Sequence, residues 1–508
     1  MRDLFLNYLK RVVADFQEVR SDSSRKPLHL HESSAVRGTV ERLEETQEFR
    51  KLGVAARHAF DTESPIAKSA KVENEWVLVA ERIRVECWQR SVGHFFRRSS
   101  CYLDAFDHKP VDQDSLCENF FRACRQETEQ VTHFALMEGV SFSEADMDFR
   151  EFGIRTFTAS ELERIVSNRN NSIFYPEATL DLNRLQEYWF ITCVDRKRAE
   201  KTEMDYHIPA EPGATVRVQF SQISEIFRRP VRALVLYDWA TDSFRAMDSE
   251  ELARGKNSLA NHKTEGWQGF RLPVAFEISD NLLQPPKRSP DLSMLKTEFV
   301  RGDEGDVEIP FREVNLSPGE TESFKKFVCR WHEILSGLKT KENGWQFFEL
   351  ALDYLTKAFF TEGIEQLLWH MIVIEALIGE KQPGLTERLA SRLSNILKET
   401  NEKPEDLKKC FKKLYDLRCD LVHGKRPPEA WLGHLRKARE VSRRTLLWFL
   451  QFLAGLQQAL ASAPSTGGSP TRKDILTSID LEREDRARLQ SLIGLLPDKF
   501  PSLADWNA

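Results

Sequence analysis

The sequence predicts a multidomain α+β chain: a helical N-terminal region, a strand-rich α+β middle domain and a C-terminal all-α helical bundle. Changes of hydrophobic period predict it. Apolar residues recur at helical spacing over residues 1–145, alternate with polar ones over 146–318, and return to helical spacing over 319–461. The length of 508 residues accommodates about three domains of ~150 residues each.

The first region opens on an amphipathic helix with Phe5, Leu9, Val12 and Phe16 on one face. Asp3 and Asp15 interrupt the pattern and distinguish it from a signal peptide. Ser21–Pro27 is polar and predicts a loop, and Leu116, Phe120, Cys124, Val131 and Phe134 follow a helical stripe. In the middle domain Phe152 and Ile154 alternate with polar neighbours, and Thr158 and Glu161 form a T-x-x-E capping box before the helix LERIV. Alternation predicts strands at Val216–Phe220, Leu272–Ile278 and Val307–Phe311, and Val231–Trp239 predicts a more buried strand. The prolines of Gln284–Asp291 predict a loop.

After Pro318 five helices are expected: Trp345–Phe360, Gly363–Gly379, Thr386–Glu399, Pro404–His423 and Glu429–Ala461. Their short connections predict antiparallel neighbours in a bundle. Residues 462–508 form a linker, Ser462–Pro470, and a tail with two short helices.

Composition narrows the function classes. A net charge of −6 excludes a polycation, so any nucleic-acid surface is a local patch. The eight cysteines form no C-x-x-C, which argues against a zinc knuckle or a thioredoxin-like motif and for reduced thiols. The longest apolar run, near Leu446–Leu456, is broken by Gln451 and falls short of the ~20 residues of a membrane span. A cytoplasmic protein with no membrane association is the expectation. No metal or cofactor is implied: His29 and His31 stand in a polar H-x-H without carboxylate partners, and Gly255–Lys256 lacks the upstream glycine of a phosphate loop.

The segment Leu407–Gly424, LKKCFKKLYDLRCDLVHG, is the most informative. On a helix at about 100° per residue, Leu407, Phe411, Leu414, Leu421 and Val422 form an apolar stripe with Arg418 in its middle. A guanidinium there needs a carboxylate, a phosphate or a second subunit facing it. His423 precedes Gly424, a helix-ending residue, and points ~140° from Arg418 on an ideal helix. For both to share one site, the last turn tightens or unwinds, or the two come from different chains. From Leu407 to Thr445 there are twelve Lys and Arg, Lys425 and Arg426 among them, against four Asp and Glu, a local excess suited to a phosphate backbone or to a solvated helix face.

The run Y-D-L-R-C-D-L-V-H-G resembles the signature of the Apea-like branch of the HEPN superfamily. Upstream, LLWHMIVIEALIGE (Leu367–Glu380) resembles the family's second helix, with Glu375 in its E-A-L position, and LTERLASRL (Leu385–Leu393) its third. The similarity covers about residues 340–455. It implies a metal-independent endoribonuclease in which Arg418 grips the scissile phosphate and His423 exchanges a proton with the ribose 2′-hydroxyl or the leaving oxygen. It also implies a homodimer through the bundle, RNA as substrate with Lys425 and Arg426 as contacts, and a role in anti-phage defence, with residues 1–318 sensing a phage-derived trigger or restraining the nuclease. The sequence departs from the family in placing Cys419, not a hydrogen-bonding residue, directly after the Arg, with Asp420 one later as a support for the pair. A Cys419–His423 nucleophile pair at i, i+4 has no third partner in the pattern. The competing reading is a non-catalytic HEPN dimerisation module that scaffolds an RNA or protein partner. A metal nuclease in the middle domain finds no ligand cluster.

Overall fold

A computed structural model of the chain describes residues 1–21, 29–60, 75–165, 169–175, 188–199, 225–239, 269–288, 299–302, 305–308, 314–361, 363–380, 383–397, 404–426, 431–462 and 469–481. The helices are α1 (Arg2–Ser21), α2 (His29–Glu44), α3 (Gln47–Phe60), α4 (Glu75–Arg98), α5 (Cys101–Phe106), α6 (Gln113–Arg125), α7 (Ala159–Ile165), α8 (Arg169–Phe174), α9 (Glu225–Val235), α10 (Pro318–Gly337), α11 (Gln346–Phe359), α12 (Gly363–Ile378), α13 (Leu385–Ile396), α14 (Pro404–Val422), α15 (Trp431–Ser462) and α16 (Arg472–Asp480). The strands are β1 (Thr128–Met137), β2 (Val140–Ser141), β3 (Asp146–Asp148), β4 (Phe152–Arg155), β5 (Trp189–Arg198), β6 (Ala275–Ser279), β7 (Lys287–Arg288), β8 (Phe299–Gly302), β9 (Gly305–Glu308) and β10 (Val314–Asn315). The chain is thus mixed α and β. Among the described residues no helix is long and apolar enough to cross a membrane.

Two compact units divide the chain. The first comprises Met1–Leu136, Glu151–Gln219 and Val274–Leu292. Its helices enclose a core of aromatic rings: Phe5, Phe95, Phe96 and Phe120 meet at centroid distances of 5.0–6.2 Å. Phe5, Leu9, Val12 and Phe16 are all fully buried, as the stripe on α1 predicts. Two polar pairs lie inside this core. Tyr8 and Tyr102 share a 2.8 Å hydroxyl bond, and Arg97 forks onto Glu44. In the sheet of this unit the strands run in the order β4-β5-β1-β6-β7, with β1 antiparallel to β6 (Phe134 opposite Phe276) and β4 antiparallel to β5 (Ile154 opposite Ile191). Phe134, Phe190, Phe276 and Val274 pack beneath Leu162 of α7. The capping box forms as expected, with Thr158 N–H donating to Glu161 and Glu161 N–H donating to the Thr158 hydroxyl.

The second unit comprises Met137–Arg150, Phe220–Pro273 and Ser293–Ala508. Helix α10 starts at a capping box, Ser317 with Glu320, with Pro318 in its first turn. Phe324 of α10 joins Phe142, Tyr237 and Trp239 in an aromatic cluster with centroids 5.0–5.4 Å from its ring. Helices α11 to α15 form the bundle. Helix α12 is its centre and packs against α11, α13, α14 and α15. Its apolar residues go nearly all the way round: Leu367, Met371, Val373, Ile374, Leu377 and Ile378 are fully buried. The five bundle helices lie within a few residues of their expected bounds, and α10 precedes them.

Two expectations fail. Strand β1 begins at Thr128, so the change from helix to strand follows Arg125 instead of falling near residue 146. Val131 and Phe134 continue the spacing of α6 but lie on opposite faces of β1. Both faces of its C-terminal half are buried, which hides the alternation. Val231–Trp239 is not a strand: α9 runs to Val235 and a turn follows. A short apolar run fits either element. Here Arg228 and Arg232, one helical turn apart, both bind Asp353 of α11, at 2.6 and 2.7 Å, and hold the helical spacing. Within Gln284–Asp291, Lys287–Arg288 pairs with β6 as a short strand. The expected strand at Val216–Phe220, Gly255–Lys256, the side chains of His29 and His31, and most of the Ser21–Pro27 loop, the 462–470 linker and the tail beyond 481 lie outside the described residues.

Helix α16 is fastened to α13 by one buried cation. The Arg392 side chain is 2% exposed and binds Asp480 at 2.5 and 2.7 Å, Glu380 at 2.7 Å and the Ile378 carbonyl at 2.7 Å. Removing one member strands the others. Arg392→Ala is expected to destabilise the second unit by about 3–5 kcal/mol and to free α16 for proteolysis. Denaturant unfolding and limited digestion check this.

Candidate functional site

Helix α14 positions the motif residues. Pro404 opens it, and Glu405 and Asp406 occupy its first turn, where the helix dipole favours acids. Its buried face is Leu407, Phe411, Leu414 and Leu417. This corrects the expected stripe: Leu421 is half-buried and Val422 is 55% exposed. Arg418 therefore sits at the end of the buried face, not in its middle, where α14 leaves the bundle.

Arg418 does face a carboxylate. Its Nε lies 3.5 Å from Oε1 of Glu375 on α12, with both side chains about three-quarters buried (27% and 23% exposed). The Tyr415 ring, one turn before Arg418, lies 5.8 Å from the guanidinium carbon. The pair is loose. Glu375 Oε1 is buried and accepts no hydrogen bond among the described residues. Burial raises the Glu375 carboxyl above the usual range, and Arg418 offsets this only in part. Burial and then Glu375 push the Tyr415 phenol up as well. Tyr415 was not among the expected site residues, although its i−3 spacing from Arg418 puts it on the same face.

The end of α14 is locked. Gly424 takes the left-handed conformation at φ +80°. Its N–H donates to Leu421 O at 3.0 Å, and Lys425 N–H donates to Asp420 O at 2.9 Å. These are the two bonds of a Schellman motif, which makes His423 the C-cap residue. His423 is exposed, and its imidazole makes no hydrogen bond or ion pair among the described residues. The structure does not join Arg418 to His423 within one chain.

Asp420, expected to support that pair, instead takes the Lys425 ammonium at 2.7 Å. The reason is local: the Schellman turn folds Lys425 back over the last turn of the helix. Cys419 is half-buried and Arg426 exposed. Much of the basic excess is compensated. Lys408 pairs with Glu405, Lys412 with Glu387, Lys437 and Arg444 with Glu440, and Arg443 with Asp238.

Two outcomes follow from this geometry. A carboxyl whose folded pKa lies above its unfolded one weakens the fold as pH rises through that window. Glu375→Gln is expected to melt level with the wild type at about pH 3, below the unfolded glutamate pKa of about 4.3, and above it at neutral pH. Gly424→Ala is expected to lower stability by about 1 kcal/mol, because a Cβ disfavours positive φ. Melting curves across pH and denaturant titrations check the two. Comparison with protein-family models, with curated proteins and with solved structures finds no match for this chain.

Proposed function

We propose that the second unit is a HEPN-type, metal-independent endoribonuclease acting through Arg418 and His423, in an assembly of two copies of the chain. The observation that carries this is Arg418 itself: a partly buried guanidinium at the end of a bundle helix, facing a carboxyl that burial makes a poor counter-ion. A phosphate is a better partner for a planar fork than a carboxyl biased towards its neutral form. When an RNA phosphate docks on Arg418, Glu375 takes up a proton in place of opposing the second anion. His423, exposed five residues on, is free to move a proton.

The reaction is an internal transfer. The ribose 2′-oxygen attacks phosphorus as its proton passes to one imidazole, and the P–O5′ bond breaks as the leaving oxygen gains a proton. The products are a 2′,3′-cyclic phosphate and a 5′-hydroxyl. One copy supplies only a separated Arg and His, so a cleft built across two copies supports the reading best. Residues 1–318 sense a trigger, phage-derived in a defence setting, and the protein works in the cytoplasm. The second reading, a non-catalytic scaffold, is favoured by the same separation of Arg418 from His423 and by the ion pair that already occupies Arg418.

Expression of the wild type is expected to arrest growth and yield RNA ends with cyclic phosphates. Arg418→Ala and His423→Ala are each expected to lose cleavage by about 10²–10⁴-fold, and chelator to leave it unchanged. RNA-end sequencing and a purified cleavage assay read this. If the wild type and both variants bind RNA alike and none cuts it with trigger present, the scaffold reading replaces the nuclease.

A further inference from the structure

The interface between α12 and α15 holds a second cation, and among the described residues no carboxylate meets it. Arg439 Nη2 donates to Gln366 Oε1 at 2.8 Å. Gln366 is 2% exposed, and His370, one turn on along α12, is 3% exposed. His370 Nδ1 meets the Ser442 hydroxyl at 2.8 Å, and that hydroxyl donates to the Arg439 carbonyl at 3.0 Å. Arg439 Nη1 and His370 Nε2 are both buried without a hydrogen-bond partner among the described residues. Two acids at α15 are engaged elsewhere, Glu440 by Lys437 and Arg444 and Asp238 by Arg443. Burial, and then the neighbouring charge of Arg436, pull the Arg439 guanidinium down to about 9. Burial, and then Arg439, keep His370 neutral.

We propose that Arg439, held by Gln366 in the interface of α12 and α15 with Nη1 buried and unpartnered, is the floor of a phosphate-binding site. A guanidinium inside a protein is stable when an anion offsets its lost hydration, and a neutral amide does so poorly. Two donors stand here, Nη1 of Arg439 and the Gln366 amide nitrogen, whose oxygen is turned to Arg439, while His370, donating from Nδ1 to Ser442, presents an acceptor at Nε2. Arg436 stands three residues from Arg439 on the same helix and repels it, so a ligand carrying about two negative charges, as a phosphate monoester does, offsets the charge of Arg439. The ligand chemistry is a phosphate group, from inorganic phosphate, from an RNA or nucleotide terminus, or from an RNA backbone. The site is independent of the cleavage reading, because its occupancy is read without any RNA being cut.

The full-length chain is melted in inorganic phosphate and in chloride at equal pH and ionic strength, as wild type and as Arg439→Met. Phosphate is expected to raise the wild-type midpoint by about 2–4 °C. Arg439→Met, relieved of an uncompensated charge, is expected to melt at or above the wild type in chloride and to gain nothing from phosphate. Two uncleavable 2′-O-methyl RNAs, one with a 5′-phosphate and one with hydroxyl ends, separate the sources: a rise with the first alone assigns a terminal phosphate, and a rise with both assigns the backbone. Equal phosphate effects on wild type and variant, or no effect on either, overturn the proposal. So does a variant that melts lower and keeps the phosphate response. Should Arg439→Met not fold, hydrogen exchange on the wild type decides: phosphate is expected to slow it in α12 and in the first half of α15, and unchanged rates there sink the site.

Discussion

The enclosure of α12 is the constraint on which the second unit depends. A helix packed by four neighbours turns one side away from water, and a polar side chain that it buries there must be answered by one of those neighbours. Leu367, Met371, Val373, Ile374 and Leu377 answer the apolar requirement. Gln366, His370 and Glu375 answer the polar one, and each does so incompletely. Gln366 meets Arg439, His370 meets Ser442 through one nitrogen only, and Glu375 meets Arg418 at ion-pair distance without a hydrogen bond. Glu375 lies on the face of α12 turned to α14, and Gln366 and His370 lie on the face turned to α15.

The legibility of this fold follows the length of its repeats. The five bundle helices repeat their apolar face over three or more turns, and their bounds are readable to within a few residues. Thr158 and Glu161 are readable because both halves of a capping box lie within four residues. What is not readable depends on partners distant in sequence. Val231–Trp239 satisfies strand and helix alike until Asp353, more than a hundred residues later, supplies a ligand for two arginines spaced one turn apart. Strand β1 carries apolar residues on both faces because both are covered, so its alternation never appears.

The candidate site divides in the same way. Helix spacing brings out Arg418 as a cation needing a partner, and the resemblance of Leu367–Glu380 to a HEPN helix brings out Glu375. Tyr415 needs only the i−3 rule. The end of the apolar face at Leu417 is not legible, because Leu421 and Val422 are as apolar as the residues before them and differ only in that no helix among the described residues covers them fully. The assignment of Asp420 to Lys425 requires the Schellman turn, which Gly424 makes foreseeable, together with the reach of a lysine bent back across it. Counting charges also overstates the basic patch, since an i,i+3 or i,i+4 acid removes most of a cation's field from the surface.

The Schellman motif bears most heavily on how the proposed cleft is assembled. Two routes bring a guanidinium and an imidazole around one phosphodiester from positions ~140° apart on a helix: the last turn unwinds, or a second copy contributes. Unwinding breaks the bonds from Gly424 to Leu421 and from Lys425 to Asp420, pulls the Lys425–Asp420 pair apart, and leaves those two carbonyls of α14 to water. Bringing up a second copy breaks none of these. It would also cover Val422, exposed among the described residues, and the open part of half-buried Leu421, at the same end of α14 as His423. The locked helix end thus opposes rearrangement within the chain, and the proposed cleft is the one that two copies would complete without undoing it.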